Sequence, residues 1–437
     1  MSDGEPRFGV WRVTRFYVPL LLQAFSQSFV YPLAAGIVTQ GAHGVNALTA
    51  FSQGLMIAFM VNSIGGGLVT TGMLFAKTWL GYVTFRRLNA LMMVCLIALQ
   101  CVPALPPFST LVFEGFFNLP PELAEISRRT LLFSCLMNAG FFVRNVPMAV
   151  LFNNLESGKA NNATALRIAA TLVCAAVFPR IGWVGPAWGL FALGLGVWIE
   201  TAVTWQYARP FVSALPNRPK DGGVPVKGHV GISALLLEQF RFTMPLALGS
   251  FLLACSPLVI AAFIARSACP ADMLAIHYVT IGIASPVSFC ALRLQTVAVK
   301  FRPEYPGDRR LLWYALTAGL ALGVVPLVFS TPWLGDWYFG VFQNVPPHLL
   351  GTARLAIGMY SILCVIQAVR GRIEGIAVAR RRPRAVMWGQ FAYTLSLFLA
   401  CAALLPLGCP GWAIAVSAII VAPICVTVVV YATLPGD

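Results

Sequence analysis

Apolar stretches of membrane-crossing length recur along this chain from end to end. An α-helix needs roughly 20 apolar residues to cross about 30 Å of hydrocarbon. Twelve such stretches can be read, near 15–38, 47–76, 86–106, 129–152, 162–180, 185–208, 239–265, 273–300, 310–332, 350–374, 385–406 and 411–434. Of the 437 residues, 58% are hydrophobic and only 10% are charged, where about 25% charged is usual in a soluble domain. Mean hydropathy is +0.79. In water such a surface aggregates, so the bilayer is the expected solvent. This disfavours a secreted protein, a nucleic-acid binder and an ordinary cytosolic enzyme. The expected fold class is an all-α polytopic membrane protein.

The placement of positive charge predicts orientation, because Lys and Arg near span ends resist translocation. With the N-terminus inside, twenty of the thirty Lys/Arg fall on the inner side, from Arg7, Arg12 and Arg15 through Arg86 and Arg87 to Arg380, Arg381, Arg382 and Arg384. Only Arg128, Arg129, Arg180 and Arg266 fall outside. Both termini are therefore expected in the cytoplasm, in the cell membrane (the inner membrane of a bacterium). The formal net charge of +15 then reports topology, and no nucleic-acid partner is needed to explain it. Ten of the eleven Trp lie near span ends, as an aromatic belt requires. The first apolar stretch is too long for a signal-peptide core and reads as retained. The Cys lie mainly inside spans, where they are soft packing residues; only Cys269 and Cys409 fall on the outer side. The four His are scattered, so no metal cluster is expected.

An internal repeat is legible. Arg15-Phe16-x-x-Pro19-Leu20 recurs as Arg241-Phe242-x-x-Pro245-Leu246, Arg86-Arg87-Leu88 as Arg309-Arg310-Leu311, Arg144 as Arg370, and Pro186-x-Trp188 as Pro410-x-Trp412, at offsets between 223 and 226. Each half holds six spans, an even number, so the halves insert the same way up and form a parallel repeat. The expected domains are a six-helix bundle over 1–208, a cytoplasmic linker rich in Pro, Gly and Lys/Arg over 209–238, and a second bundle over 239–437. Two such bundles can rock to give alternating access to a shared cleft. Pro19, Pro32, Pro245 and Pro257, in the first helix of each half, are hinge candidates because each removes a backbone hydrogen bond.

Charges inside spans are costly and mark function by default. Arg144, Arg293, Arg370 and Glu200 are the candidates for a substrate pathway. Arg167, Arg354 and Arg372 lie close enough to the expected span ends to snorkel to headgroups. Arg370 can pair with Glu374 one turn on. Gln23 and Gln27 share a face of the first span, and Asn138 and Asn145 flank Arg144. Several fixed guanidinium groups against one deep acid favour an anionic substrate, since guanidinium binds carboxylate and phosphate bidentately. No P-loop, zinc-protease or hydrolase signature occurs, so no catalytic residue, cofactor or metal is assigned. The driving force must then come from an ion gradient, the substrate's own gradient or the membrane potential.

Twelve spans in two parallel halves resemble the multidrug/oligosaccharidyl-lipid/polysaccharide exporter superfamily, which includes the multidrug and toxic-compound extrusion (MATE) transporters. Within it the chain resembles the progressive-ankylosis (ANKH) family more closely. The residues that carry this are Arg15-Phe16-x-Val18-Pro19-Leu20, Pro245-Leu246-Ala247-Leu248, Arg302-x-x-Tyr305-Pro306 and Val369-Arg370. The resemblance implies a MATE-like fold and export of anions such as citrate, pyrophosphate or nucleotides. Cation-coupled members carry acids in the first helix; here that helix has Gln23, Ser26, Gln27 and Ser28 and no carboxylate. Glu200 is then the coupling candidate for H⁺ or Na⁺. The expected function is a secondary active transporter, of antiporter or exporter type, for an organic or phosphorylated anion. The alternatives are a proton- or Na⁺-coupled multidrug exporter, a lipid-linked precursor flippase and a membrane-embedded transferase. The multidrug reading predicts a carboxylate-rich cavity.

Overall fold

The computed structural model describes residues 9–42, 44–117, 119–216, 232–302, 309–343 and 345–434. In hydrocarbon every backbone N–H and C=O must be satisfied within its own segment, which leaves helices as the solution for long apolar stretches. The described chain is accordingly helical. The first half comprises α1 (Val10–Thr39), α2 (Gly44–Ser63), α3 (Leu68–Phe75), α4 (Trp79–Cys101), α5 (Pro121–Asn153), α6 (Ser157–Val177) and α7 (Pro186–Ser213). The second comprises α8 (Ile232–Ala254), α9 (Ser256–Ile264), α10 (Pro270–Leu292), α11 (Leu294–Phe301), α12 (Arg310–Phe329), α13 (Pro332–Gly335), α14 (Pro347–Met359), α15 (Ser361–Ala379), α16 (Pro383–Leu404) and α17 (Gly411–Thr433). Some of these are pieces of one interrupted span, and among the described residues twelve helices are long and apolar enough to cross a bilayer.

The polarity of the packing is that of a lipid-embedded protein. Leu136, Leu320 and Val428 are exposed, whereas Glu200, Arg370 and Glu374 are buried. All eleven Cys are free thiols, Cys269 and Cys409 included.

Several boundaries differ from the sequence expectation because helices continue through polar residues at their ends. The fourth span begins at Pro121 and the fifth at Ser157, so residues near their expected starts lie deeper than hydropathy suggested. The stretch expected to link the halves is shorter than 209–238. Helix α7 runs on to Ser213 and α8 starts at Ile232, while 217–231 lie outside the described residues. The division by packing also differs from one at the linker. One compact unit is Ser26–Phe251; the other takes the chain up to Phe25 and again from Leu252 onward. The cut therefore falls inside the first helix of each half, within α1 and within α8.

Local contacts explain that division. In the second unit the start of α1 is held on α10 by two reciprocal bonds: Tyr17 Oη donates to the Cys290 carbonyl at 2.9 Å, and Cys290 Sγ–H donates to the Leu21 carbonyl at 3.3 Å. Phe16 meets Phe301 edge-on, centroids 5.7 Å apart at 75°. In the first unit, Thr243 of α8 shares a 2.8 Å hydroxyl hydrogen bond with Thr71, and Gln239 Nε2 donates to Thr84 Oγ1 at 2.8 Å. Phe242 meets Phe75 edge-on, at 5.6 Å and 69°. The offset that carries Phe16 to Phe242 also carries Phe75 to Phe301, so the same aromatic pair is built twice.

The repeat extends to irregular segments. Thr110–Phe116 and Asp336–Phe342 are both π-helical. Phe117 N–H donates to Val112 O at 3.0 Å and Leu119 N–H to Phe113 O at 3.0 Å; their counterparts are Gln343 to Tyr338 at 2.9 Å and Val345 to Phe339 at 2.8 Å. The following Leu119-Pro120-Pro121 and Val345-Pro346-Pro347 are the sequence trace of this motif. The repeat predicts parallel energetics for the two aromatic pairs. Phe75→Ala and Phe301→Ala should each destabilise the purified protein by about 3–5 kcal/mol, the usual cost of deleting a buried ring. Thermal unfolding in detergent measures this; a loss in only one variant would show that the two pairs are not equivalent.

Candidate functional site

The candidate site lies in the Ser26–Phe251 unit, where α5, α6 and α7 pack together. Their approach depends on glycine. A Cβ on Gly140 of α5 would lie 2.8 Å from Val197 Cγ1, and one on Gly196 of α7 would lie 2.9 Å from Arg167 Cγ and 3.0 Å from its carbonyl. Such small residues let helices in lipid come close. One turn beyond each glycine stands a charge on the same helix face: Arg144 four residues after Gly140, and Glu200 four after Gly196.

Glu200 is the centre. Its side chain is 0% exposed. Oε2 accepts from Arg144 Nη1 at 2.7 Å and from Arg167 Nη1 at 3.0 Å, and Oε1 accepts from Thr164 Oγ1 at 2.6 Å. Thr164 and Arg167 are three residues apart on α6 and so share a face. The Phe141 ring, one turn before Arg144, lies 4.9 Å from the Arg144 guanidinium carbon and 5.8 Å from that of Arg167. It also packs against the apolar cluster of Val30, Ala34, Phe51, Met137, Leu190 and Val197. The Arg144 side chain is 14% exposed and that of Arg167 only 5%. Two guanidinium groups thus share one carboxylate.

Arg167 corrects the sequence reading, which allowed it to snorkel to a headgroup. The fifth helix starts at Ser157, so Arg167 lies ten residues inside it, about 15 Å at 1.5 Å per residue. At that depth a partner is required, and Glu200 supplies it. The available signal was the Thr164/Arg167 spacing opposite Glu200, which only the true helix start makes legible.

The other expected site residues separate. Arg370, in the other unit, is closed on itself. Its Nε donates to Glu374 Oε1 at 2.8 Å, Nη1 to Gln367 Oε1 at 3.2 Å and Nη2 to Gln390 Oε1 at 2.9 Å, with the Tyr393 ring 5.1 Å away. One acid balances one base there. Arg293 is half-buried where α10 breaks into α11. Gln23 is buried in the part of α1 that belongs to that same unit. Asn138 faces α2 and α4, donating to Ala58 O at 3.1 Å and Gln100 Oε1 at 2.6 Å, as a packing contact. Asn145 is half-buried. The Gln27 side chain lies outside the described residues. Pro19, Pro32 and Pro245 lie within unbroken helix, whereas Pro257 opens α9 just after the break at Cys255.

No protein-family model matches the sequence, and no curated protein matches it. Solved structures do match in fold. A MATE structure in the bent conformation superposes with a TM-score of 0.75 at 14% identity, covering 98% of this chain and 94% of that one. The eukaryotic MATE transporter AtDTX14 gives 0.72 at 14% identity, covering 98% and 96%. A transporter of the MOP superfamily from Pyrococcus furiosus gives 0.68 at 14% identity, covering 97% and 95%. The chain has the MATE transporter fold, as the sequence led one to expect.

Removing Glu200 would leave the buried Arg167 and the half-buried Arg144 without their acid. Glu200→Ala should therefore cost about 3–5 kcal/mol, the range for breaking a buried ion pair from one side. Glu200→Gln keeps an acceptor for the same donors and should cost less. Thermal unfolding of the two variants checks the order; equal loss would show that size matters here more than charge.

Proposed function

We propose that the chain is a secondary active transporter that exports an organic or phosphorylated anion by alternating access between two helical bundles. The observation that carries this is the sharing of Glu200 by Arg144 and Arg167, which leaves a positive excess on a partly exposed guanidinium within the membrane. Intramembrane charges of this kind mark substrate or ion paths. A cationic drug would meet repulsion at this cluster, so the multidrug alternative is disfavoured. The Pyrococcus furiosus structure adds context, because reverse polarity of its binding pocket is reported to suggest a different function for that protein. The likeness to the progressive-ankylosis family rests on the sequence motifs alone and points to the same class of cargo.

In this reading Glu200 is also the coupling group for H⁺ or Na⁺, Arg293 and Gln23 line the path in the other unit, and Asn145 does so beside Arg144. The hinges are Pro19 and Pro32 in α1 and Pro245 in α8, the two helices that change unit along their length, with Pro257 at the start of α9. Both termini face the cytoplasm.

Arg144→Ala leaves Glu200 paired with Arg167 and Thr164, so the fold should survive while anion transport is lost. Uptake by proteoliposomes, with a melting curve as control for folding, measures both; full uptake by the folded variant would overturn the reading. Glu200→Gln should flatten the pH dependence of transport. An unchanged profile would make Glu200 a purely structural partner.

A further inference from the structure

Charge counting in the Arg144 cluster narrows the cargo. Two guanidinium groups face one carboxylate, a net single positive charge. Among the described residues the neighbours of Glu200 supply no second acid. Helix α5 presents Arg144, and α6 presents Arg167 and Thr164. Helix α2, which also packs on α7, has no ionisable side chain between Gly44 and Ser63. The nearby part of α1 in this unit has only Tyr31, whose hydroxyl is bonded to Ser52 Oγ at 2.6 Å. Among the described residues no acceptor reaches the buried Nε of Arg144 or of Arg167. An uncompensated charge and two unpaired donors in a low-dielectric site are costly, and one added negative charge removes the imbalance.

Glu200 itself displays the chemistry the cluster accepts: one carboxylate oxygen takes both guanidinium groups and the other takes a hydroxyl. Phe141 adds an apolar face beside both arginines. The Arg370 cluster is the internal contrast. There Glu374 balances the charge and each guanidinium nitrogen donates to an acceptor, so nothing calls for an added anion.

We infer that the Arg144–Arg167–Glu200 cluster binds a singly charged carboxylate with a small apolar body, in preference to dicarboxylates or tricarboxylates. This rests on the anion reading above and narrows it. A monoanion neutralises the cluster. A dianion overshoots to a net negative charge and restores the burial cost with the opposite sign.

The test is a binding series on the purified full chain in detergent, in chloride-free buffer at pH 7 and matched ionic strength. The probes are the potassium salts of acetate, benzoate, succinate, citrate and inorganic phosphate, read by thermal shift and calorimetry. Benzoate should raise the melting temperature and bind at least about tenfold more tightly than succinate or citrate. Arg144→Gln should lose that shift. Glu200→Gln, which raises the cluster to two positive charges, should invert the order in favour of succinate. If that variant does not fold, the wild-type series decides alone. Succinate or citrate binding the wild type as well as benzoate would overturn this inference and leave the anion reading standing. A benzoate shift that persists in Arg144→Gln would overturn it as non-specific. No response to any anion, with stabilisation by a cationic dye instead, would overturn the anion reading itself.

Discussion

A carboxylate buried at the meeting of three helices organises the first half of this molecule. Charge inside a bilayer protein is tolerated only when it is paired or reaches water. Glu200 meets that condition with both oxygens occupied, and its partners come from two different helices. The glycines one turn away set how near those helices lie. Packing and electrostatics therefore depend on each other: without Gly140 and Gly196 the distances fail, and without Glu200 the small-residue contact would press two cations into hydrocarbon.

The second half solves the corresponding problem differently. Arg144 and Arg370 occupy corresponding places in the repeat, yet Arg370 takes its acid from its own helix one turn on. It uses Gln367 and Gln390 to complete its bonds. The outcome is a neutral, closed network in one unit and a cationic, partly open one in the other. Repeats that share a backbone plan need not share a charge balance, and the difference here places the candidate chemistry in the Ser26–Phe251 unit.

Much of this was legible beforehand, for identifiable reasons. Span number, fold class and the internal repeat follow from hydropathy and recurring Arg, Phe and Pro residues, because the bilayer restricts what an apolar stretch can become. Arg144 and Glu200 were legible because deep charges are rare. Arg167 was not, since hydropathy places a helix start where polar residues end, whereas Ser157–Asn162 is helical despite its polarity. The closure of Arg370 by Gln390 was hidden as well, because that contact joins residues on different helices. The division of α1 and α8 between units was hidden for the same reason. Phe16 and Phe242 were visible as a repeated pair, but their partners Phe301 and Phe75 are distant in sequence.

That division bears on how the chain is made. A membrane protein leaves the ribosome from its N-terminus, and early spans enter the bilayer before later ones exist. The opening stretch of α1 finds Cys290 and Phe301 only after most of the polypeptide has been synthesised, and the Ser26–Phe251 unit is incomplete until α8 arrives. Neither sequence half holds the whole of one compact unit. The nascent protein must hold the opening stretch of its first helix in lipid, lacking its final neighbours, through most of translation.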